Sequence, residues 1–401
     1  MITKPDRKKI LFLPADSVPL GVSRSYWLAK FLAVHHEVYL LQWSDPRTWI
    51  WSTEGRRHGS TFRAFTGSLL QPFQCQRLDG ENGLRVVRTP VMLDAGICRL
   101  LGRLPARRLA RRFNRRSLAR LIRRVKPDVL FYADGFYYFP ALQANGVRIF
   151  ADVQDDFEDT EEDLLKGEVA YSSACFQRCD KAFAVSPAAC ERLSKLYSGV
   201  PFEWLPNGAE FQSYREVPLA VVAETKARLG LDRSFVISFI GGDVWFDQNF
   251  LKSLAGQLAQ TIPHAKLLLV GKLPVVSAPN IVSAGFVVPQ DIVKYFLLSD
   301  LGVHLKDAAD SNFLYNSIPL KIIQYAAARK PFLSPRIGWL EKEQFPNVRM
   351  LPMRVDAWVE AIHEAQHFQW TSACDRAWEN YDWANVGAAL ARKLAGSGNS
   401  R

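Results

Sequence analysis

Short apolar runs alternate with amphipathic stripes along most of the chain. In the first half the runs fall at Ile10–Leu13, Glu37–Gln42, Leu84–Arg88, Asp128–Tyr132, Val147–Asp152 and Ala182–Val185. A helical stripe covers Arg24–Val34, and a second lies in an arginine-rich segment between Arg99 and Lys126. The second half repeats the theme. Strand-like runs fall at Phe235–Ile240, Lys266–Val270, Leu301–His304 and Phe332–Ser334, and helical ones at Asn249–Gln260, Pro289–Leu298 and Pro319–Ala328. Runs this continuous fit strands buried on both faces, so the pattern predicts an α/β chain of mostly parallel sheet covered by helices. A length of 401 residues is enough for two doubly wound domains. Residues 209–233 carry a weaker strand signal and many charges, which puts a boundary near Gly208. Two such domains would face a cleft lined by strand C-termini, where sheets of this kind bind ligands.

Residues 43–75 break the alternation. Trp43, Trp49, Trp51, Phe62, Phe65 and Phe73 are interleaved there with Arg47, Arg56, Arg57 and Arg63. This composition suits a membrane interface or a lipid-bearing acceptor. It equally suits a loop packed by its own aromatics.

Charge sharpens the picture. The net charge is +11, and eleven Arg and one Lys lie between Arg99 and Lys126 with no acidic residue among them. Without that segment the chain is close to neutral. Leu109, Ala110, Phe113, Ser117, Leu118, Leu121 and Ile122 form one stripe of the segment; Arg108, Arg112, Arg116 and their neighbours fill the rest. A basic amphipathic helix can serve anionic lipid, nucleic acid or solvent alone. The lack of interspersed Glu or Asp leaves like charges repelling at i, i+4, which favours a membrane surface. No run of eighteen apolar residues appears, so no membrane-spanning helix is expected. Met1–Lys9 leads straight into Ile10–Leu13 without the apolar region of a signal peptide, so the cytosol is expected. The six cysteines show neither a CxxC pair nor zinc spacing and are expected as buried small hydrophobes.

Three segments carry candidate chemistry. Pro319-Leu-Lys-Ile-Ile-Gln-Tyr-Ala-Ala-Ala-Arg-Lys-Pro331 reads as one helix, with Ile322, Ile323, Ala326 and Ala327 on its apolar side. Lys321 then sits in the first turn, beside backbone N–H groups and the positive end of the helix dipole. That is an anion site, or else a surface lysine on an ordinary αβ unit. Asp152-Val-Gln-Asp-Asp-Phe-Glu-Asp159 follows a strand. Asp155 and Asp156, adjacent in the turn at its end, could raise one pKa and supply a general base. A magnesium ion held through substrate is the rival use of such carboxylates. Gly241 and Gly242, followed by Asp243, end another strand, where backbone N–H groups can approach a diphosphate.

Taken in order, these pieces resemble a glycosyltransferase of the GT-B fold, built from two Rossmann-like domains facing a cleft. The resemblance rests on Asp180-Lys-Ala-Phe-Ala-Val-Ser-Pro187, Leu205-Pro-Asn-Gly208, Gly241-Gly242, Leu267-Leu-Leu-Val-Gly271, Asn280-Ile-Val-Ser-Ala-Gly285, Asp300-Leu-Gly-Val-His304 and Pro319-Leu-Lys321. Gly242–Asp247 together with Lys321–Tyr325 are most similar to the membrane-associated glucuronosyltransferases of xanthan assembly. The resemblance implies an acceptor-binding domain over 1–208, a nucleotide-sugar domain over 209–382, and a last helix, 383–401, crossing back to the first. It assigns the donor diphosphate to Lys321, Leu320 and the backbone at Gly242–Asp243. Gln324 is assigned to the ribose or a phosphate. The base is assigned to Asp155 first and Asp156 second. Retaining members carry two glutamates where Asn316 and Gln324 stand here, so inversion is implied. The xanthan enzymes carry a glutamate just after the glycine matching Gly285, where this chain has Phe286-Val287.

The expected function is therefore an inverting transferase that uses a UDP-sugar as substrate, with no cofactor and no metal. Its partners would be a lipid-linked saccharide acceptor of a cell-surface polysaccharide and the anionic inner face of the cell membrane. Trp49, Trp51, Arg108, Arg112 and Arg116 are the candidate membrane and acceptor residues. A sugar-nucleotide 2-epimerase of the same architecture is the alternative. A basic nucleic-acid-binding protein ranks below both, because no RNA-binding motif is present.

Overall fold

The computed structural model describes residues 7–14, 23–42, 73–77, 83–89, 91, 103–134, 136, 139–154, 170–197, 199–242, 247–306, 319–337, 340 and 343–395. The chain divides into two units, residues 1–205 with 387–401 and residues 206–386.

Unit 1 is built on β1 (Lys9–Leu13), β2 (Glu37–Leu41), β3 (Gln74–Arg77), β4 (Leu84–Arg88), β5 (Val129–Ala133), β6 (Arg148–Val153), β7 (Lys181–Ala184) and β8 (Phe202–Trp204). Their order in the sheet is β3-β4-β2-β1-β5-β6-β7-β8. All neighbours are parallel except the pair β3 and β4. Its helices include α1 (Arg24–His35), α2 (Arg103–Val125) and α3 (Pro187–Leu196). Side chains alternate between the two faces of the sheet. Leu11, Leu130, Ile149 and Ala182 pack with α2 and α3 on one side. On the other side Phe12, Phe131, Phe183 and Phe150 form a ladder, with Phe12 and Phe131 stacked at 4.6 Å.

Unit 2 begins with α4 (Phe211–Glu216) and α5 (Leu219–Arg228), in the stretch whose strand signal is weak. There follow β9 (Phe235–Ile240), α6 (Gln248–Thr261), β10 (Ala265–Val270), β11 (Ile281–Gly285), α7 (Ile292–Leu298), β12 (Leu301–Val303), α8 (Leu320–Ala327), β13 (Phe332–Ser334) and β14 (Val348–Met350). After them come α9 (Val355–Ala365), α10 (Ser372–Trp378) and α11 (Trp383–Ala395). The sheet is parallel throughout, in the order β11-β10-β9-β12-β13-β14. Helices α6 and α9 cover one face through Leu251, Leu254, Leu258, Trp358 and Ile362. Tyr325 of α8 anchors the other face. Its hydroxyl lies 2.6 Å from Ser238 Oγ, and its ring sits where a Cβ on Gly302 would lie, at 2.6 Å.

One device recurs in both sheets. Asp128, Asp180 and Asp300 each stand just before a strand. Their carboxylates accept the N–H of Lys9, Ile149 and Val236 on the neighbouring strand at 2.7, 2.8 and 2.8 Å. Their own N–H groups donate to the carbonyls of the same three residues. A strand-opening amide that lacks a ladder partner is satisfied in this way. It also accounts for two aspartates of the recurring motifs, Asp180 and Asp300, in structural terms.

Helix α11 begins in unit 2, and from Gly387 its residues belong to unit 1. A Cβ on Gly387 would lie 2.3 Å from the Cβ of Phe31, so glycine permits close packing against α1. Lys393 and Lys181 both bond Glu203, at 2.6 Å each. Burial raises the Glu203 pKa, but the two ammonium groups outweigh it and hold the carboxyl below its ordinary value.

The amphipathic reading of α2 needs correction. Ala106, Ala110, Asn114, Ser117, Leu118, Leu121 and Val125 are its buried residues, whereas Leu109 is 42% exposed. Arg111 is buried too, with its guanidinium 3.7 Å from the Tyr171 ring centroid, which lets a charged residue enter the apolar side. The cysteine expectation also fails at one position, since Cys75 on edge strand β3 is exposed.

Candidate functional site

Unit 2 reverses its strand order between β9 and β12. The chain runs from β9 outward to β10 and β11, then returns to β12 on the opposite side of β9. Carboxyl ends at such a reversal leave a crevice suited to ligands. Close backbone approaches shape this one. Gly271, at φ +140°, would place a Cβ 1.9 Å from Gly241 O, so only glycine fits where β9 and β10 end. The Gly241 N–H donates to Val270 O at 3.0 Å. What Gly241 offers the crevice is therefore space: its missing Cβ would lie 3.2 Å from Lys321 Nζ.

Helix α8 delivers that lysine. Pro319 is its N-cap and supplies no side-chain acceptor, and Leu320 and Lys321 open the first turn. Ile322, Ile323, Ala326 and Ala327 are buried as the stripe predicts. Lys321 is only 8% exposed. Its Nζ lies 4.3 Å from the Phe239 ring centroid, a cation–π contact. Among the described residues, it has no hydrogen-bond partner and no carboxylate. Burial alone lowers its pKa from 10.5 to about 7. His304, just past β12, is fully buried. Its pKa falls well below the ordinary value through burial first, then through Lys321 and Lys306. A buried ammonium at a helix N-terminus, without a counter-charge, is arranged to meet an anion.

The other expected donor residues sit around it. Leu320 is 41% exposed at the start of α8. Gln324, one turn on, is hydrogen-bonded to the Tyr214 hydroxyl of α4. Gly242 has open space where a Cβ would be. Asp243, Asn316, Asp155, Asp156, Trp49 and Trp51 lie outside the described residues. Arg108, Arg112 and Arg116 share the exposed side of α2 in unit 1.

Two arrangements at the strand ends of unit 1, one buried and one half-buried, have no signal in the sequence. Arg24 and Asp152 form a bidentate ion pair, with Nε and Nη2 each 2.8 Å from a carboxylate oxygen. Arg24 Nη2 also donates to Leu205 O at 2.8 Å. Asp134, at φ +62°, accepts from the Gln154 backbone at 3.2 Å and from its amide at 2.9 Å. This pair ties the ends of β5 and β6 immediately before Asp155. Partners 20 and 128 residues apart are found only once the sheet order is known.

No family model matches the sequence, and no curated protein matches it. Solved structures do. HepE of Anabaena, determined in complex with UDP and glucose, is matched over 97% of this chain and 100% of its own, at 15% identity and a TM-score of 0.62. Sucrose-phosphate synthase from Thermosynechococcus elongatus is matched over 97% and 98%, at 13% identity and a TM-score of 0.65. WaaG, a glycosyltransferase involved in lipopolysaccharide biosynthesis, is matched over 97% and 99%, at 13% identity and a TM-score of 0.57. At these identities the likeness shows the fold. It is the GT-B fold, with two Rossmann-like units of parallel sheet. No described helix is long and apolar enough to cross a membrane.

Proposed function

We propose that the protein is an inverting glycosyltransferase that moves a sugar from a UDP-sugar to a lipid-linked saccharide at a membrane surface. The observation that carries this reading is Lys321, a buried ammonium with no carboxylate partner among the described residues, at the strand reversal of unit 2. HepE, of the same fold, has been determined with UDP-glucose, which supports a uridine donor. A glucuronate donor rests on the sequence resemblance of Gly242–Asp247 and Lys321–Tyr325 alone.

In the reaction an acceptor hydroxyl loses its proton to Asp155, or to Asp156 as second choice. Its oxygen bonds to the anomeric carbon from the face opposite the diphosphate. The bond from that carbon to the phosphate oxygen breaks, and UDP leaves with the electron pair. Lys321 and the N-terminus of α8 meet the charge that develops on the departing diphosphate. Asp155→Asn is expected to lower transfer by about 100- to 10,000-fold, the range of a lost general base, with UDP affinity unchanged. Release of sugar from a UDP-sugar to an acceptor glycolipid measures it. Steady formation of an epimerised UDP-sugar without acceptor would instead establish the epimerase.

The exposed arginines of α2 supply the membrane contact in this reading. Removing three of them as Arg108→Ala, Arg112→Ala and Arg116→Ala is expected to weaken binding to phosphatidylglycerol vesicles by about 100-fold, at roughly 1 kcal/mol per arginine. Activity on a soluble acceptor analogue should be unaffected. Vesicle co-sedimentation and that assay, run side by side, separate surface attachment from catalysis.

A further inference from the structure

The α8 side of the strand reversal carries a second titratable group, and the register fixes where it lies. Leu301 and Gly302 pair with Ile237 and Ser238, so the next two steps set His304 beside Ile240 at the end of β9. Across β13, Val303 pairs with Leu333, and the His304 N–H donates to Leu333 O at 2.9 Å. Leu301, Val303 and Leu305 belong to the core under α6 and α9. Gly302 meets the Tyr325 ring of α8. Alternation then turns His304 toward α8 as well. Tyr325 lies over Gly302; Lys321 precedes Tyr325 by one helical turn, and His304 follows Gly302 by two strand residues. One turn advances about 5.4 Å and two strand residues about 6.6 Å, so Lys321 comes to lie over His304.

Ser334 adds an independent observation on the same side. It follows Phe332, whose ring lies 5.2 Å from Tyr325. It is fully buried, and its Oγ has no hydrogen-bond partner among the described residues. An ammonium, an imidazole and a hydroxyl are thus gathered at the carboxyl ends of β9, β12 and β13. Among the described residues, Lys321 from α8 and Lys306 from its own segment are charged groups that act on His304. Asp247, at the start of α6, donates its N–H to Leu305 O, but its carboxylate is occupied by the N–H groups of Asn249 and Phe250 at 2.9 Å. Among the described residues, β9 and β13 bring no titratable side chain to this point.

We propose that His304 is a second anion-facing group of this site, and that binding of a diphosphate draws a proton from solvent onto its imidazole. The inference rests on the reading of Lys321 as the diphosphate clamp. Burial, with the two lysines adding to it, holds the imidazole pKa well below its ordinary value, so the ring stays neutral. A diphosphate brings negative charge between Lys321 and His304, which reverses the balance, and the imidazolium then donates an N–H to the phosphate. Donor affinity is consequently tied to pH through the histidine as well as the lysine.

The test is calorimetric titration of the whole protein with UDP-glucose in buffers of differing ionisation enthalpy. The diphosphate of UDP-glucose is esterified at both ends, so its own charge stays constant over the range used. At pH 6.5 the wild type is expected to take up more than about half a proton per ligand. His304→Gln should fall to about a quarter, the share left to a lysine titrating near 7. At pH 8 Lys321 alone supplies most of the uptake, and both proteins should take up about one proton. Equal uptake at pH 6.5 in wild type, His304→Gln and His304→Asn would overturn the role of His304 and leave the Lys321 clamp standing. Absence of UDP-glucose and UDP binding would overturn both.

Discussion

Lys321→Met is expected to raise the stability of unit 2 while weakening UDP binding about 100-fold. The two effects have opposite signs because the ammonium is placed for a ligand, at the expense of the fold. It is 8% exposed and lacks a carboxylate among the described residues. Burial holds its pKa near 7, below the ordinary 10.5. Between these two values the unfolded chain keeps the proton that the folded chain has lost. Wild-type stability therefore rises with pH across that window, and below it the full penalty applies. The penalty is on the order of 3–5 kcal/mol. Methionine matches the lysine stem and removes the charge, so the unfolding midpoint at pH 7 should rise by roughly 5–10 °C. The gap between the two proteins should narrow toward pH 10. Loss of a buried, charge-assisted contact to the diphosphate is worth about 3 kcal/mol, or about 100-fold in UDP affinity. Thermal unfolding from pH 6 to 10, paired with UDP titrations, measures both. A variant less stable than wild type at pH 7 would mean that the lysine has a partner the fold depends on.

Arg24→Met is expected to destabilise unit 1 by about 3–5 kcal/mol, because it leaves the Asp152 carboxylate buried and uncompensated. Both side chains are almost inaccessible, at 1% and 0%. The same substitution strips Leu205 O of its donor, which adds a second unsatisfied group. In urea the midpoint should fall by about 1–2 M for a unit of this size. The double variant Arg24→Met/Asp152→Leu should recover most of the loss, since neither charge then remains to be desolvated. A single variant within about 1 kcal/mol of wild type would show that water reaches the pair.

The strands divide sharply into those the sequence pattern predicts and those it does not. Interior strands such as β1, β5, β9 and β10 are covered on both faces and read as unbroken apolar runs. The four strands absent from the pattern, β3, β8, β11 and β14, are the four edges of the two sheets. Gln74-Cys-Gln-Arg77 is exposed throughout, and Val348-Arg-Met350 has no fully buried residue. An edge strand has a partner on one side only and needs little apolar surface, so it leaves no run to detect. The same contrast holds at the site. Lys321 is visible because a proline, a stripe and a following strand place it in a first helical turn. His304 and Phe239 become its neighbours only through the β9–β12 pairing, which local sequence does not encode. In α2 the charge period is plain, but Tyr171 decides that Arg111 goes inside.

The protonation state of Lys321 tests the central claim most directly. In protein labelled with 13C at lysine Cε, one resonance is expected to titrate near pH 7 and to be missing from Lys321→Met. Addition of UDP should move that midpoint upward by about two units or more, as a phosphate beside the ammonium favours its charged form. A Lys321 resonance whose titration is unchanged by saturating UDP would contradict the assignment of this lysine to the diphosphate.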